Sequence, residues 1–216
     1  MVLDKKRDSV DPLLSDISKL FIKVNPDVIT WIALLFALVS GIFFYYSTVE
    51  KELINYYLFF AAFFVFLNGL FDAVDGKVAK LTNKVSLRGD FLDHALDRFA
   101  DVFMVGGLAL SSWCRPSIGL LAVIGMLLTS YMGTQSQAIG HKRDYSGLLG
   151  RADRLVLLMI FPIVQHIALR YSIVLPWNTT ILEWVLIYFA VVGNLTAVQR
   201  FYSTLKWFRN GFNKNK

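Results

Sequence analysis

The sequence predicts an all-α integral membrane protein, built as a six-helix bundle with an amphipathic interfacial helix at its N-terminus. Of the 216 residues, 56% are hydrophobic and only 18% are charged, and the mean hydropathy of +0.52 is high for a water-soluble domain of this length. Six apolar segments are each long enough to cross a hydrocarbon core about 30 Å thick. They cover approximately residues 28–48, 54–74, 95–113, 117–140, 153–171 and 181–203.

The region before the first apolar segment predicts a short helix. Apolar side chains recur at helical spacing from Leu13 to Val24, while Asp16 and Lys19 fall on other faces. We expect this helix to lie along the membrane interface, the alternative being a soluble helix packed on the loops. The chain thus divides into an N-terminal juxtamembrane part, a six-span domain and a basic tail, at residues 1–26, 27–209 and 210–216.

The basic residues predict the orientation, because short cytoplasmic loops accumulate Lys and Arg. With six spans, 18 Lys and Arg lie on the side of the two termini and 3 on the opposite side, with Arg98 inside the third span. We therefore expect a multi-pass protein of the cell membrane with both termini in the cytoplasm. The same rule, together with anionic lipid head groups, explains the net charge of +6. We expect membrane lipid as a partner and no nucleic acid.

Six aspartates crowd the second and third predicted spans and the turn between them. A charged carboxylate inside a bilayer is costly, so such residues need a partner or a functional role. Asp72, Asp75 and Gly76 share one helical stripe, and Gly89, Asp93 and Asp97 share another. A short connection lets the two stripes face each other near the cytoplasmic surface. The aspartates are Asp72, Asp75, Asp90, Asp93, Asp97 and Asp101.

Clustered carboxylates repel one another unless a cation lies between them. These stripes offer hard oxygen ligands and no Cys or His, which favours Mg²⁺ or Mn²⁺. Gly76 and Gly89 leave room for a bulky ligand, and lysines surround the cluster. Two metal ions facing a basic rim indicate a phosphate or diphosphate substrate. Asp101 lies one turn beyond Asp97, where it could pair with Arg98 or with a basic residue on a neighbouring span.

The spacing from Asp72 to Asp97, D-x2-D-G-x2-A-K-x8-G-x3-D-x3-D, resembles the signature of the CDP-alcohol phosphotransferases. These are also called CDP-alcohol phosphatidyltransferases, and they are integral membrane enzymes of phospholipid synthesis. The segment NPDVIT at the start of the first span looks like the family's Pro-Asn-x-Ile-Thr. The family usually has Arg where this chain has Lys80, which keeps the charge but not the planar fork.

The resemblance implies that the hydroxyl of a polar alcohol displaces CMP from a CDP-linked lipid. It also implies a homodimer, because relatives form one. Asp97 would be the base that accepts the hydroxyl proton. Two Mg²⁺ or Mn²⁺ ions would be held by Asp72, Asp75, Asp93 and Asp97. The CDP part of the donor would be contacted by Gly76, Ala79, Lys80 and Gly89.

A second basic cluster precedes the fifth span, in the segment GHKRDYSGLLGRADR. It favours an acceptor with its own phosphate, such as inositol phosphate or glycerol phosphate, because guanidinium groups pair well with phosphate. Arg151 and Arg154 are the better candidates, since they are three residues apart on one helical face. For Lys142 and Arg143, the positive-inside rule is an equally good explanation.

Two other functions could also use acids in a membrane. An ion-coupled transporter would need acids at several depths on several spans, whereas the first, fourth and sixth predicted spans have none in their apolar stretches. A membrane prenyltransferase would bind a prenyl diphosphate through Asp and Mg²⁺, but its aspartate-rich motifs have other spacings and its spans are usually more numerous. The sequence favours the phosphotransferase over both.

Overall fold

The computed structural model describes residues 7–47, 56–141, 147–173 and 175–212, with side chains from 11 to 209. Over these ranges the chain is all-helical, as predicted, with seven α-helices, one 3₁₀ turn at Pro176–Asn178 and no strand. The α-helices are α1 Arg7–Leu20, α2 Pro26–Tyr46, α3 Tyr56–Leu81, α4 Leu87–Ala109, α5 Pro116–Ala138, α6 Arg151–Arg170 and α7 Ile181–Phe212.

Local signals in the sequence explain where several helices begin. The side chain of Asn25 accepts a hydrogen bond from the N–H of Asp27, and Pro26 occupies the first turn of α2. Ser86 caps α4 by accepting a hydrogen bond from the N–H of Gly89 at 3.0 Å. A proline likewise opens α5. The helix starts are therefore encoded locally.

Five of the described helices are long and apolar enough to cross a membrane, namely α2, α3, α5, α6 and α7. The predicted third span corresponds to α4, which does not meet that criterion because its cytoplasmic half carries Asp90, Asp93, Asp97, Arg98 and Asp101. The all-α membrane architecture is thus confirmed, whereas six spans remain a prediction.

The N-terminal helix packs on the charged end of α3. Leu14 and Ile17 contact a small apolar cluster that contains Val74 and Val78, and Lys77 forms an ion pair with Asp11 at 2.7 Å. The predicted helix therefore exists and is held against α3. Its position relative to the membrane surface remains a prediction.

Helix α2 packs along both α3 and α4 and sets the distance between the two acid-bearing helices. A Cβ added at Gly41 would lie 2.2 Å from the backbone oxygen of Phe103, and one added at Gly107 would lie 2.2 Å from the backbone oxygen of Gly41. The backbones of α2 and α4 are thus in direct contact. On the other side of the bundle, α6 packs on α3, and α5 packs along α7.

Candidate metal centre

Three carboxylates from two helices converge at the cytoplasmic end of the bundle predicted from the charge pattern. Asp72 comes from α3, and Asp93 and Asp97 come from α4, one turn apart. One oxygen from each lies within 4.8 Å of the other two, a spacing that allows all three to ligate one ion. We call these three carboxylates the candidate metal centre. The predicted meeting of the two acidic stripes is confirmed by this geometry.

The fourth predicted ligand, Asp75, stands apart from the other three. It is buried, and its Oδ2 has no hydrogen-bond partner among the described residues. An unpaired, buried carboxylate oxygen is costly. The oxygen-rich donor set fits Mg²⁺ or Mn²⁺, and the unpartnered oxygen of Asp75 is available to a further cation.

Arg151, at the start of α6, lies among the acids of the candidate metal centre. Its Nη1 is 2.6 Å from Oδ2 of Asp72 and 2.9 Å from Oδ1 of Asp97. Only 15% of its side chain is exposed. The sequence analysis assigned Arg151 to an acceptor phosphate and did not anticipate these contacts, which join residues far apart in the chain.

Arg154, one helical turn further, is fully enclosed. It donates a hydrogen bond to Asp101, and each of these side chains is only 2% exposed. Arg98 also lies near Asp101, at 3.6 Å, and donates a hydrogen bond to Ser130 of α5. The predicted pairing of Asp101 is confirmed. The burial of Arg154 argues against the acceptor role assigned to it, because its charge is already neutralised inside the bundle.

The residues predicted to contact the CDP group border the metal centre. A Cβ added at Gly76 would meet no atom within 4 Å, so open space lies over this part of α3. Lys80 is exposed one turn beyond Gly76, and Ala79 is half-buried. Gly89 is half-buried in the first turn of α4. Their contact with a nucleotide remains a prediction.

The two remaining predicted acceptor residues, Lys142 and Arg143, lie outside the described residues. The described residues on either side of them contact α7. The ring of His141 stacks on Trp207 with centroids 4.5 Å apart, and Gly147 approaches Thr196 so closely that an added Cβ would lie 2.2 Å from Cγ2 of Thr196. Helix α7 therefore holds both sides of the connection that leads into Arg151.

Comparison with known proteins gives a consistent result. The family model described as CDP-alcohol phosphatidyltransferase matches residues 23–196. The archaetidylinositol phosphate synthase of Pyrococcus horikoshii is 27% identical over 207 residues, which are 95% of this chain and 97% of that protein. The phosphatidylinositol phosphate synthase of Cutibacterium acnes is 27% identical over 183 residues, covering 82% of this chain and 84% of that protein.

Solved structures of the Mycobacterium tuberculosis phosphatidylinositol phosphate synthase share the fold. The structure with CDP-DAG bound superposes with a TM-score of 0.66 at 24% identity, covering 91% of this chain and 94% of that one. The structure in complex with manganese and citrate gives a TM-score of 0.68 at 22% identity, covering 89% and 88%. The arrangement of helices described above is thus also found in a protein whose structure has been solved with a divalent metal.

Proposed function

The chain belongs to the CDP-alcohol phosphatidyltransferase family, and from this premise we propose that its acceptor is inositol phosphate and that CMP is the second product. It is a membrane transferase of phospholipid biosynthesis that takes its lipid group from a CDP-linked donor and passes it to a polar alcohol. Two relatives named as synthases of inositol phosphate lipids support the choice of acceptor. Glycerol phosphate is the other phosphorylated acceptor to be tested.

The observation that carries this proposal is the convergence of Asp72, Asp93 and Asp97 from two helices. These three residues would hold one Mg²⁺ or Mn²⁺ ion, and the unpaired oxygen of Asp75 supports a second ion between it and Asp72. The manganese complex of a protein with the same fold is consistent with this metal dependence.

Formal charge supports two ions rather than one. Five carboxylates, including Asp75 and Asp101, face the three guanidinium groups of Arg98, Arg151 and Arg154, which leaves two negative charges. Two divalent ions would turn this into two positive charges. The diphosphate of a CDP-linked lipid carries two negative charges, so the loaded site would be neutral with its donor bound.

The protein side chains would supply the remaining chemistry. Bound divalent ions would neutralise the diphosphate and stabilise the leaving CMP. Asp97, on the side of the centre nearest Arg151, would accept the proton of the acceptor hydroxyl. Gly76, Ala79 and Gly89 would leave room for the nucleotide, with Lys80 near its phosphates. Positioning both substrates in line is the other main requirement.

The architecture that we propose around this site follows the sequence pattern. Helix α4 would be the sixth span, because its acids face the other charged groups while its second half, from Val102 to Ala109, is free of charged residues. Helix α1 would lie at the cytoplasmic interface, with both termini on that side of the cell membrane. The three parts 1–26, 27–209 and 210–216 are kept, although the tail from 213 onward lies outside the described residues. A homodimer is proposed from the family resemblance.

The test is a transfer assay with the detergent-solubilised full chain, Mn²⁺ and a CDP-linked lipid of either the diacylglycerol or the archaeol type. Inositol phosphate, glycerol 3-phosphate, inositol and serine would be compared as acceptors. CMP release that depends on inositol phosphate and is abolished by EDTA is the expected result. CMP release with free inositol or serine alone would overturn the acceptor assignment. Pyrophosphate release from a prenyl diphosphate, without CMP release, would instead support a prenyltransferase.

A further inference from the structure

Arg151 occupies the position from which a metal ion would draw its ligands. A single nitrogen, Nη1, contacts both Asp72 and Asp97, which are two of the three carboxylates of the candidate metal centre. It therefore links α3 to α4 through a charge that comes from α6. In this arrangement the guanidinium group is the cation that keeps the acids of the two helices together.

A divalent ion and this guanidinium group would compete. Lone pairs of Asp72 and Asp97 that accept hydrogen bonds from Arg151 are not available to a metal at the same time. An ion ligated by the three carboxylates would also lie close to the positive charge of Arg151, and repulsion between like charges is strong where water is largely excluded. Metal binding should therefore be easier when Arg151 moves away.

The structure provides a second partner toward which Arg151 can move. Its Nε is buried and has no hydrogen-bond partner among the described residues. Oδ1 of Asp101 lies 3.8 Å from that nitrogen. The other oxygen of Asp101 is held by Arg154 at 2.5 Å, so the carboxylate is fixed in place. Arg151 can thus stay anchored at its Nε while its Nη atoms leave Asp72 and Asp97.

We propose that Arg151 is the resident counter-ion of the metal-free centre, and that metal binding releases its Nη atoms, which then bind the phosphate of the acceptor. This inference rests on the proposed function, because it assigns an order to the binding of metal and acceptor at the same site. The metal binds before the acceptor, and an anion that captures the released guanidinium raises metal affinity by the same factor as the metal raises anion affinity.

The test measures Mn²⁺ affinity of the full chain in detergent, without substrates, from the electron paramagnetic resonance signal of free Mn²⁺. Arg151→Gln removes the charge and keeps much of the length, and we expect it to bind Mn²⁺ about tenfold more tightly than the unmodified protein. Arg170→Gln is the matched control, since Arg170 is exposed at the opposite end of the same helix, and we expect no change. Unchanged or weaker binding by Arg151→Gln would overturn the proposal, because an arginine that only orients the carboxylates would give that result.

Thermal unfolding would show whether Arg151→Gln is folded. If it is not, Arg151→Lys provides the same test, because an ammonium group keeps the charge but loses the planar fork. Its Mn²⁺ affinity should then exceed that of the unmodified protein, and an equal or lower affinity would count against the proposal. Failure of the proposed function looks different, since Asp93→Asn would then bind Mn²⁺ as well as the unmodified protein does, whatever the result for Arg151.

Discussion

Asp101 shows how much a single side chain outside the recognised motif can organise. Its carboxylate is 2% exposed and has Arg98, Arg151 and Arg154 within 4 Å. Hydrogen bonds from guanidinium groups are among the stronger polar contacts in proteins, and they matter most where water is excluded. Asp101 therefore ties α6 to α4 one turn below the candidate metal centre and determines where Arg151 starts.

Replacing Asp93 by Asn tests the metal centre at the level of one atom. Asp93→Asn keeps the shape of a side chain that is 39% exposed, so we expect the protein to insert and fold normally. Transfer should fall by at least about 1,000-fold, since a neutral amide is a poor ligand for a hard cation. CMP release would be measured, with the surface variant Asp16→Asn as control. Activity near that of the unmodified protein would rule out Asp93 as a ligand.

Replacing Arg154 tests its assignment as a buried partner of Asp101. Arg154→Met should lower the free energy of unfolding by about 3 kcal/mol or more, because it leaves a buried carboxylate short of a partner. Unfolding by SDS in mixed micelles would provide the measurement, and Arg170→Met would serve as the exposed control. A loss below about 1 kcal/mol would mean that Arg98 and Arg151 compensate for the missing charge.

The single cysteine offers a test of the fold at the other end of the bundle. Burial raises the pKa of the Cys114 thiol from 9.0 to about 11, with a smaller contribution from the nearby carboxylate of Glu183. At pH 8 the thiolate fraction, and hence the rate of labelling by a maleimide, should be about 100-fold lower than for a free thiol. Labelling would be compared in mild detergent and in SDS. Equal rates in the two detergents would contradict the buried position of Cys114.

At the scale of elements, α4 carries the functional acids and is placed by its contact with α2. Gly41 and Gly107 allow the two backbones to touch, and neither position has room for a Cβ. Van der Waals packing of this kind is a main source of helix association in a membrane, where no hydrophobic gain separates helix from lipid. The position of Asp93 and Asp97 relative to Asp72 therefore depends on a contact several turns away.

Two adjacent glycines on α4 allow a matched test of that contact. Gly107→Ala would place a methyl group against the backbone of Gly41, and we expect a loss of about 3 kcal/mol in stability together with reduced CMP release. Gly106→Ala meets no atom within 4 Å, and it should be neutral or stabilising by up to about 1 kcal/mol. Both would be measured by unfolding in SDS. Equal effects of the two substitutions would show that the contact between α2 and α4 is not needed.

At the scale of the whole molecule, the asymmetry of basic residues predicts how the bundle sits in the membrane. With α4 as a span, 18 Lys and Arg lie on the side of the termini and 3 on the other. The candidate metal centre lies at the more basic end, which would face the anionic lipids of the cytoplasmic leaflet. Water-soluble, phosphorylated acceptors would then reach the site from the cytoplasm.

Reporter fusions test this orientation. We expect green fluorescent protein fused after the last residue to be fluorescent in bacterial cells, and alkaline phosphatase fused there to be inactive, because both termini are predicted to be cytoplasmic. Phosphatase fused after Trp177, in the turn between α6 and α7, should be active. An inactive phosphatase at Trp177 together with an active one at the C-terminus would reverse the orientation.

The sequence by itself determined the all-helical membrane class, the helix positions and the two stripes of acids. These properties are local, since they depend on the length of apolar segments, on capping residues and on the 3.6-residue period. Tertiary structure alone decided that Asp75 stands apart, that Arg154 is buried and that Arg151 lies between the acids. The pairs Arg151 with Asp72 and Arg154 with Asp101 join residues 79 and 53 positions apart. Whether such side chains meet depends on which helices pack together, and the period of a single helix carries no information about that.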